Sequence, residues 1–320
     1  MQVKTKSGKQ RWIQSTVTPV LDEDDEIKVL VAIDSDISKL KKAEEQILIQ
    51  KNTVEFQNRQ IKASIDYAKT IQQAILPSDE QIAAYFRFFT LYRPKDIVSG
   101  DFYWFANISD SATERFMLAA IDCTGHGVPG AFMSMIGSRL LNELVIKKQE
   151  YDPAAILLTL DSEIKNALRQ EQTDNKDGMD VCLCLLEPAS KNITENTRTK
   201  VTFCGAKRPL FYYSFSEDKM IIVKGTRRSI GGFRDRRGFP FQNHELILEK
   251  GDMIYLTSDG LIDQNGPDRH RFGKKRFAKI INENGYKSPE EQKIAFEEAL
   301  DNHQKGEEQR DDITLLGIRI

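Results

Sequence analysis

The sequence predicts an α+β fold in which antiparallel sheets are layered and covered by helices. Three observations predict it. Strand-like runs outnumber helical ones between residues 80 and 320. Short turns such as "LEKGDM" join them, which favours antiparallel pairing. Helical patterns lie at both ends of this strand-rich region, the arrangement of stacked sheets between helices. The strand-like runs are "FRFFTLYRP", "RFMLAAID", "VCLCLLE", "KVTFCGA", "PLFYYSF", "MIIVKG", "HELILEKGDMIYLTSD" and "ITLLGIRI"; the helical patterns fall at 130–150, 153–170, 274–284 and 288–304.

Ahead of this region, residues 1–39 read as strands. "RWIQSTVTPV" and "IKVLVAIDSDI" are rich in β-branched residues and flank the acidic run "LDEDDE", which reads as a solvated hairpin tip. Two strands do not make a stable domain alone. The segment, with its exit "DISKLKKAEEQI", resembles the C-terminal hairpin of a PAS sensor domain without the ligand-holding front. From residue 38 to 76 there is neither glycine nor proline, and Pro77 follows, so one long helix is expected. Leu40, Ile47, Val54, Ile61, Ala68 and Ile75 keep a strict seven-residue spacing. The companion positions Ala43, Gln50, Gln57 and Ser64 are poor, recovering only at Ile71. This is a coiled-coil seam with a polar half, in a dimeric signalling helix or in a helix docked on its own domain. The domain organisation is therefore a sensor-like fragment at 1–39, a coiled-coil helix at 40–79 and a larger domain at 80–320.

Composition bounds the function. The 320 residues are 40% hydrophobic and 29% charged, with net charge −2. That is a globular balance, without the basic excess expected of a nucleic-acid binder. No apolar run is long enough to span a bilayer, and the sequence shows no signal peptide with a cleavage site. A cytoplasmic protein is expected, with a membrane involved only if the natural protein is longer. Cys123, Cys182, Cys184 and Cys204 form no C-x-x-C pair and read as reduced, buried thiols; "CLC" on a strand places two on one face. His126, His244, His270 and His303 are scattered without zinc-ligand spacing. Any metal site must then be built from oxygen and take hard ions.

Oxygen ligands are available at strand ends. Asp122 follows the apolar run "FMLAAI" and leads into the glycine-rich "CTGHGVPGAF". Asp101 follows a glycine in "DIVSGDFYW"; Asp259 ends "MIYLTSD" before Gly260; Asp311 and Asp312 open the last strand. One strand-end aspartate is usually a turn residue. Four such places, far apart in sequence, are able to converge at one rim of a sheet.

The order G-D-F…D-x-T-G-H-G-V-P-G-A…S-D-G…R-D-D-I-T resembles the metal-dependent protein serine/threonine phosphatases of the SpoIIE/RsbU-type branch, related to the type 2C enzymes. The likeness covers about residues 85–320 and includes "DGMDVCLCLLE", "VTFCGAKRPLFYY" and "RSIGG". It implies two antiparallel sheets sandwiched between helices. It also implies that Asp122 bridges two Mn²⁺ or Mg²⁺ ions, with Asp259 and Asp311 as direct ligands and the Cys123 carbonyl assisting. Asp101 would bind mostly through water, Asp312 would support, and Asp177 or Asp180 would touch a third ion. His126 stands where a general acid is tempting, though a hydrogen-bonded loop histidine fits equally. The arginine that grips phosphate in type 2C enzymes has no clear counterpart; Arg93 and Lys95 in "YRPKD" are candidates to replace it.

The implied reaction is hydrolysis of phosphoserine or phosphothreonine by a metal-activated water, whose pKa falls from 15.7 toward roughly 7–9. The implied substrate is a small STAS-type antagonist of an anti-sigma factor, with control by the N-terminal sensor through the helix of a homodimer. The alternatives are a pseudophosphatase that only binds, and a metal-dependent nuclease or cyclase using the same acids, of which the neutral charge disfavours the nuclease. The arginine-dense loop "TRRSIGGFRDRRGFP", with Arg234, Arg236 and Arg237, reads as a solvated loop or as an edge that steers an acidic phosphoprotein.

Overall fold

The computed structural model describes residues 1–189, 198–232 and 239–320. Arg234, Arg236 and Arg237 lie outside the described residues. The chain divides into two compact units, Met1–Ser64 and Ile65–Ile320.

In the first unit, strands β1 (Gln2–Lys4), β2 (Gln10–Leu21) and β3 (Ile27–Asp36) form an antiparallel sheet in that order. The acidic run is the hairpin turn: the Asp22 carboxylate accepts from the amides of Asp24 and Glu26, each at 3.0 Å. Helix α1 (Ser38–Ile75) follows as one uninterrupted element. Leu40, Ile47, Val54 and Ile61 on its seven-residue line are all exposed.

From residue 65 onward α1 belongs to the second unit, and Ile65, Ala68 and Ile75 become half-buried while Gln72 is fully buried. This three- and four-residue rhythm is that of a helix laid on its own domain. Gln72 explains its own burial. Its amide donates to the Ser99 carbonyl at 2.5 Å and to the Ser134 hydroxyl at 2.9 Å, and its carbonyl accepts from the Ser99 amide at 3.0 Å.

The second unit continues with α2 (Asp79–Ala83), β4 (Arg87–Arg93), β5 (Phe102–Asn107), β6 (Phe116–Cys123) and α3 (Gly127–Leu141). After α3 come a π-helical turn (Asn142–Lys147), α4 (Pro153–Ala167), β7 (Gly178–Pro188) and β8 (Arg198–Ala206). The rest is β9 (Leu210–Ser214), β10 (Lys219–Val223), β11 (Ile230–Gly231), β12 (His244–Glu249), β13 (Met253–Thr257), α5 (Gly260–Asp263), α6 (Gly273–Asn284), α7 (Pro289–Gln304) and β14 (Ile313–Arg319). One sheet runs β12-β8-β7-β6-β5 with β11 beside β7; the other runs β10-β9-β13-β14-β4. The pairings between neighbouring strands are antiparallel.

Side-chain alternation builds the layers. On β6, Met117, Ala119, Ile121 and Cys123 pack with α3 and α4, whereas Phe116, Leu118 and Ala120 face the other sheet. Cys182 and Cys184 share that inter-sheet face with Leu316 and Ile318 of β14, as the "CLC" alternation predicts. On the outer face of the second sheet, Phe211, Tyr255 and Leu315 pack against Phe277 of α6 and Phe296 of α7. The order is helices, sheet, sheet, helices, the fold class the sequence predicts. The four cysteines are free and buried.

Sequence pattern does not reveal β5, whose "FYWFAN" shows no alternation because both of its faces are covered, or the short α2, α5 and β11. Helix α3 also starts three residues earlier than its pattern suggests: Gly127, Val128 and Pro129 form its first turn, where a proline has no hydrogen bond to lose. Removing Gln72 tests the docking of α1. Gln72→Ala leaves the Ser99 amide and carbonyl buried without partners and is expected to cost about 2 kcal/mol or more. The measurement is the urea midpoint of the full chain, and an unshifted midpoint would show that the glutamine contributes nothing to holding the helix.

Candidate active site

The alternation that builds the core also aims the acids. Asp122 continues the inter-sheet row Phe116, Leu118, Ala120 to the last turn of β6, and Asp180 continues the row Leu186, Cys184, Cys182 on β7. Asp122 and Asp180 are direct cross-strand partners. Phe102 pairs with Ile121, so Asp101, one residue before β5, stands beside Asp122. Three carboxylates thus form one row across three strands, at the rim of the gap between the sheets. The opposite sheet adds Asp259, just beyond β13, and Asp311 and Asp312, just before β14. Asp122, Asp180, Asp259 and Asp311 line one cavity of about 490 Å³.

Like charges directly opposite on a sheet repel. Burial, then the Asp122 charge, pushes the Asp101 carboxyl well above the usual carboxylate range. Burial, then Asp259, does the same to Asp122. Arg208, at the turn after β8, offsets part of this. Its Nη2 lies 2.8 Å from Asp180 Oδ2, 2.8 Å from Asp259 Oδ2 and 3.7 Å from Asp122 Oδ2. Burial opposes the guanidinium charge, but Asp122, Asp259 and Asp180 outweigh it and raise its pKa. Ser229 donates to the other Asp180 oxygen at 2.6 Å, and Lys207 stands 3.4 Å from Asp180 Oδ2.

Asp312 is buried and clamps a loop. Its two oxygens accept from the amides of Lys95 and Gly100, both at 2.7 Å. Gln72 holds Ser99 in the same loop from the other side. Gly100 is pressed so close to the glycine turn after β6 that a Cβ there would sit 2.3 Å from the Gly125 carbonyl oxygen. A Cβ on Gly125 itself, at φ +84°, would meet no atom within 4 Å, so its backbone opens onto free space.

The other expected residues are placed as follows. His126 is half exposed; its Nδ1 is 2.6 Å from Asp96 Oδ2 and its Nε2 is 2.9 Å from Lys95 Nζ. Lys95 is therefore drawn to His126. Arg93 pairs with Asp301 of α7 at 2.5 Å. The side chains of both are thus paired outside the acid row, whereas Arg208 is paired within it. Of the "DGMD" pair, Asp180 joins the site, whereas Asp177 accepts from Asn175 at 2.8 Å. The Cys123 side chain points to the helix side of its sheet, and burial pushes its thiol pKa well up. Sequence reasoning missed Arg208 although "GAKRP" was in view. The signal was a basic pair at a strand end in a chain whose other strand ends carry acids.

Among the described residues, no group of three or more carboxylate, imidazole or thiol side chains is gathered closely enough to hold an ion as it stands. Three of the acids, Asp122, Asp180 and Asp259, are arranged around Arg208. Their chemistry nonetheless fits a hard cation: all the donors are oxygen, and the buried Asp101 Oδ2 has no hydrogen-bond partner.

Comparison with known proteins agrees with this geometry. The SiaA-PP2C domain of Pseudomonas aeruginosa superposes with a TM-score of 0.67 at 32% identity, covering 82% of this chain and 97% of that one. The PP2C domain of SpoIIE from Bacillus subtilis, with a fragment of its regulatory domain, gives 0.56 at 18% identity over 72% of this chain and 62% of that one, a likeness of fold. The fold and the acid row thus define a domain of the PP2C-type protein serine/threonine phosphatases. Residues 112–320 match the profile of the Stage II sporulation protein E (SpoIIE) family, and the chain belongs to that family. It is 25% identical over 206 residues to the phosphoserine phosphatase RsbU of Bacillus subtilis (strain 168), a match over 64% of this chain that spans 55% of RsbU.

The repulsion has a measurable sign. Asp122 is protonated more readily folded than unfolded, so the folded chain binds more protons and this contribution to stability falls as pH rises above the unfolded carboxyl pKa of about 3.9. In chelator near pH 7, Asp122→Asn is expected to raise the thermal midpoint by about 2–4 °C, the shift for roughly 1 kcal/mol in a domain of this size. The gain should vanish toward pH 4. A lowered midpoint at pH 7 would mean that the ion pair with Arg208 outweighs the repulsion.

Proposed function

We propose that this chain hydrolyses phosphoserine or phosphothreonine on a signalling protein, with two divalent ions, Mn²⁺ or Mg²⁺, at the acid row. The observation that carries the reading is the cross-strand line Asp101–Asp122–Asp180 facing Asp259 and Asp311 across one cavity. In this reading Asp122, Asp259 and Asp311 hold the ions directly, the Cys123 carbonyl assists, and Asp101 acts mostly through water. When bound, the ions supply Lewis acidity that activates water for attack on phosphorus and offsets developing negative charge. The chain supplies the rest. Strand ends fix the carboxylates, and Gly125 leaves the backbone open for a phosphate to approach. The clamped loop at 95–101 keeps Asp101 in place. The His126 ring, oriented by Asp96 and Lys95, serves as a hydrogen-bonded loop residue.

Activity on p-nitrophenyl phosphate tests this reading and separates it from a pseudophosphatase of the same fold. Wild type should turn over with Mn²⁺ and stop with chelator. Asp122→Asn, Asp259→Asn and Asp311→Asn should each lower kcat by about 100-fold or more, the scale of losing one electrostatic stabiliser. Cys123→Ser should stay active. Wild-type turnover in any of the three asparagine variants would remove that residue from the ligand set, and an inactive wild type with either ion would favour the binding module.

The protein substrate proposed is a small STAS-type antagonist of an anti-sigma factor, as the family resemblance implies. Control is proposed to come from a PAS-like fragment at 1–39 through the helix at 40–79, with the phosphatase domain at 80–320 and two chains paired along the exposed Leu40–Ile61 seam. Two observations support coupling: the seam is apolar and exposed, and Gln72 of the same helix grips the loop that carries Asp101. The polar stretch from Gln50 to Ser64 specifies register weakly, so two pairings of similar energy are available for a sensor to bias. Inserting one residue near Gln57 turns everything beyond it by about 100°; inserting seven nearly restores phase. Activity should follow insertion length with that rhythm, and the solution mass should be that of a dimer. A monomer at micromolar concentration, or indifference to a one-residue insertion, would leave the helix a passive spacer.

A further inference from the structure

Asp311 reaches the cavity from a loop. It lies in the segment between α7 and β14, where no strand ladder fixes the backbone. Just past it the loop is pressed on α5: a Cβ on Gly260 would sit 2.0 Å from the Asp312 carbonyl oxygen. The Asp312 amide also donates to Asp311 Oδ1 at 2.9 Å.

On the other side of Asp311 the loop is held by Gln264, whose side chain is fully buried. Its Oε1 accepts from the Arg310 amide at 2.9 Å. Its Nε2 donates to the Glu308 carbonyl at 3.1 Å and to the Asn265 carbonyl at 3.0 Å. A side-chain amide offers donor and acceptor on two separate atoms, which suits a backbone C=O and a backbone N–H two residues apart. The main chain of Gln264 is itself fixed. Its carbonyl accepts from the Phe272 amide at 2.7 Å and from His303 Nε2 at 3.1 Å. His303, on α7, is held at Nδ1 by Arg276.

The same glutamine is tied to a second acid. Asp259 is the residue before α5 and Gln264 the residue after it, so one helical turn of four residues separates them. A hydrogen-bonded turn is a stiff spacer. The loop of Asp311 is thereby fastened to the element that begins at Asp259, and both carboxylates line the cavity.

We propose that Gln264 is a positioning residue for the metal site: through Glu308 and Arg310 it sets the place of Asp311 relative to Asp259, so that the two carboxylates meet the same ions. The inference rests on the phosphatase reading, with its ions at the acid row. Gln264 acts through the loop backbone and touches neither ion nor substrate. Without it the loop would have to be ordered by the ion itself, and the ordering would be subtracted from the binding.

The test uses the full chain. Mn²⁺ is titrated against the thermal midpoint, and kcat on p-nitrophenyl phosphate is read at saturating Mn²⁺. Gln264→Met fills similar space without the amide. It should raise the Mn²⁺ concentration that half-saturates the thermal shift by about 10-fold or more, the scale of losing a group that orients a ligand, and should lower kcat. Gln292→Met is the control. Gln292 is an equally buried glutamine whose amide donates to Gly285 and Lys287 and accepts from Tyr255, away from the acids. Its variant should lower the midpoint in chelator and leave the Mn²⁺ requirement at the wild-type value. If Gln264→Met likewise lowers the midpoint without moving the Mn²⁺ requirement, Gln264 is a core residue only and the proposal fails. Equal shifts of the requirement in both variants would trace the effect to general loosening and overturn it too. Should Gln264→Met not fold, Gln264→Asn decides, since it keeps the amide on a stem one carbon shorter: a raised Mn²⁺ requirement supports the role, and an unaltered one refutes it. A wild type whose midpoint and turnover both ignore Mn²⁺ and Mg²⁺ would instead sink the phosphatase reading itself.

Discussion

Everything at the rim of this molecule answers to one constraint: three aspartates stand side by side on adjacent antiparallel strands, at the mouth of a gap lined by apolar side chains. Strand register leaves no freedom here. Once Phe102 faces Ile121 and Asp122 faces Asp180, the row is complete, and a slip of one residue would turn every carboxylate to the helix side. The cost of grouping them is borne by the large inter-sheet core, in which Phe116, Phe203 and Leu316 are fully buried. A sheet with a smaller apolar face would have less to set against that repulsion.

The loops follow from the row. Asp101 has no strand neighbour on its outer side, so its position depends on the segment before it. That segment is tied at both ends by Asp312, gripped by Gln72, and wedged against the glycine turn at Gly125 and Gly130. Asp312 thereby fixes the geometry of the loop. The loop after β10 is tied down in a similar way: buried Asp161 on α4 accepts from the Gly231 amide at 2.8 Å and pairs with Arg228 and Lys165, which brings Ser229 to Asp180.

Much of this was legible in the sequence because it is periodic or terminal. Alternation exposed most strands, the glycine- and proline-free run gave α1, and the aspartates at apolar strand ends marked the acids of the cavity. What escaped depends on contacts across the chain. Nothing in "YRPKD" says that Arg93 is drawn to Asp301 on α7, more than two hundred residues away, or that Lys95 turns to His126. Gln72 looks like one more polar residue on an exposed helix until Ser99 is brought beneath it. Arg208 was hidden because a basic pair before a proline is ordinary in a surface turn; only the fold of β8 against β7 turns it inward.

The buried thiols carry a consequence for oxidative conditions. Cys123 adjoins Asp122 in sequence, yet its sulfur lies on the far side of the sheet and is held protonated by burial, and Cys182, Cys184 and Cys204 are sealed within the sheets. Peroxide and alkylating reagents attack the exposed thiolate, not the sequestered thiol. The four thiols are thus shielded from the reagents that silence enzymes built on an exposed, nucleophilic sulfur.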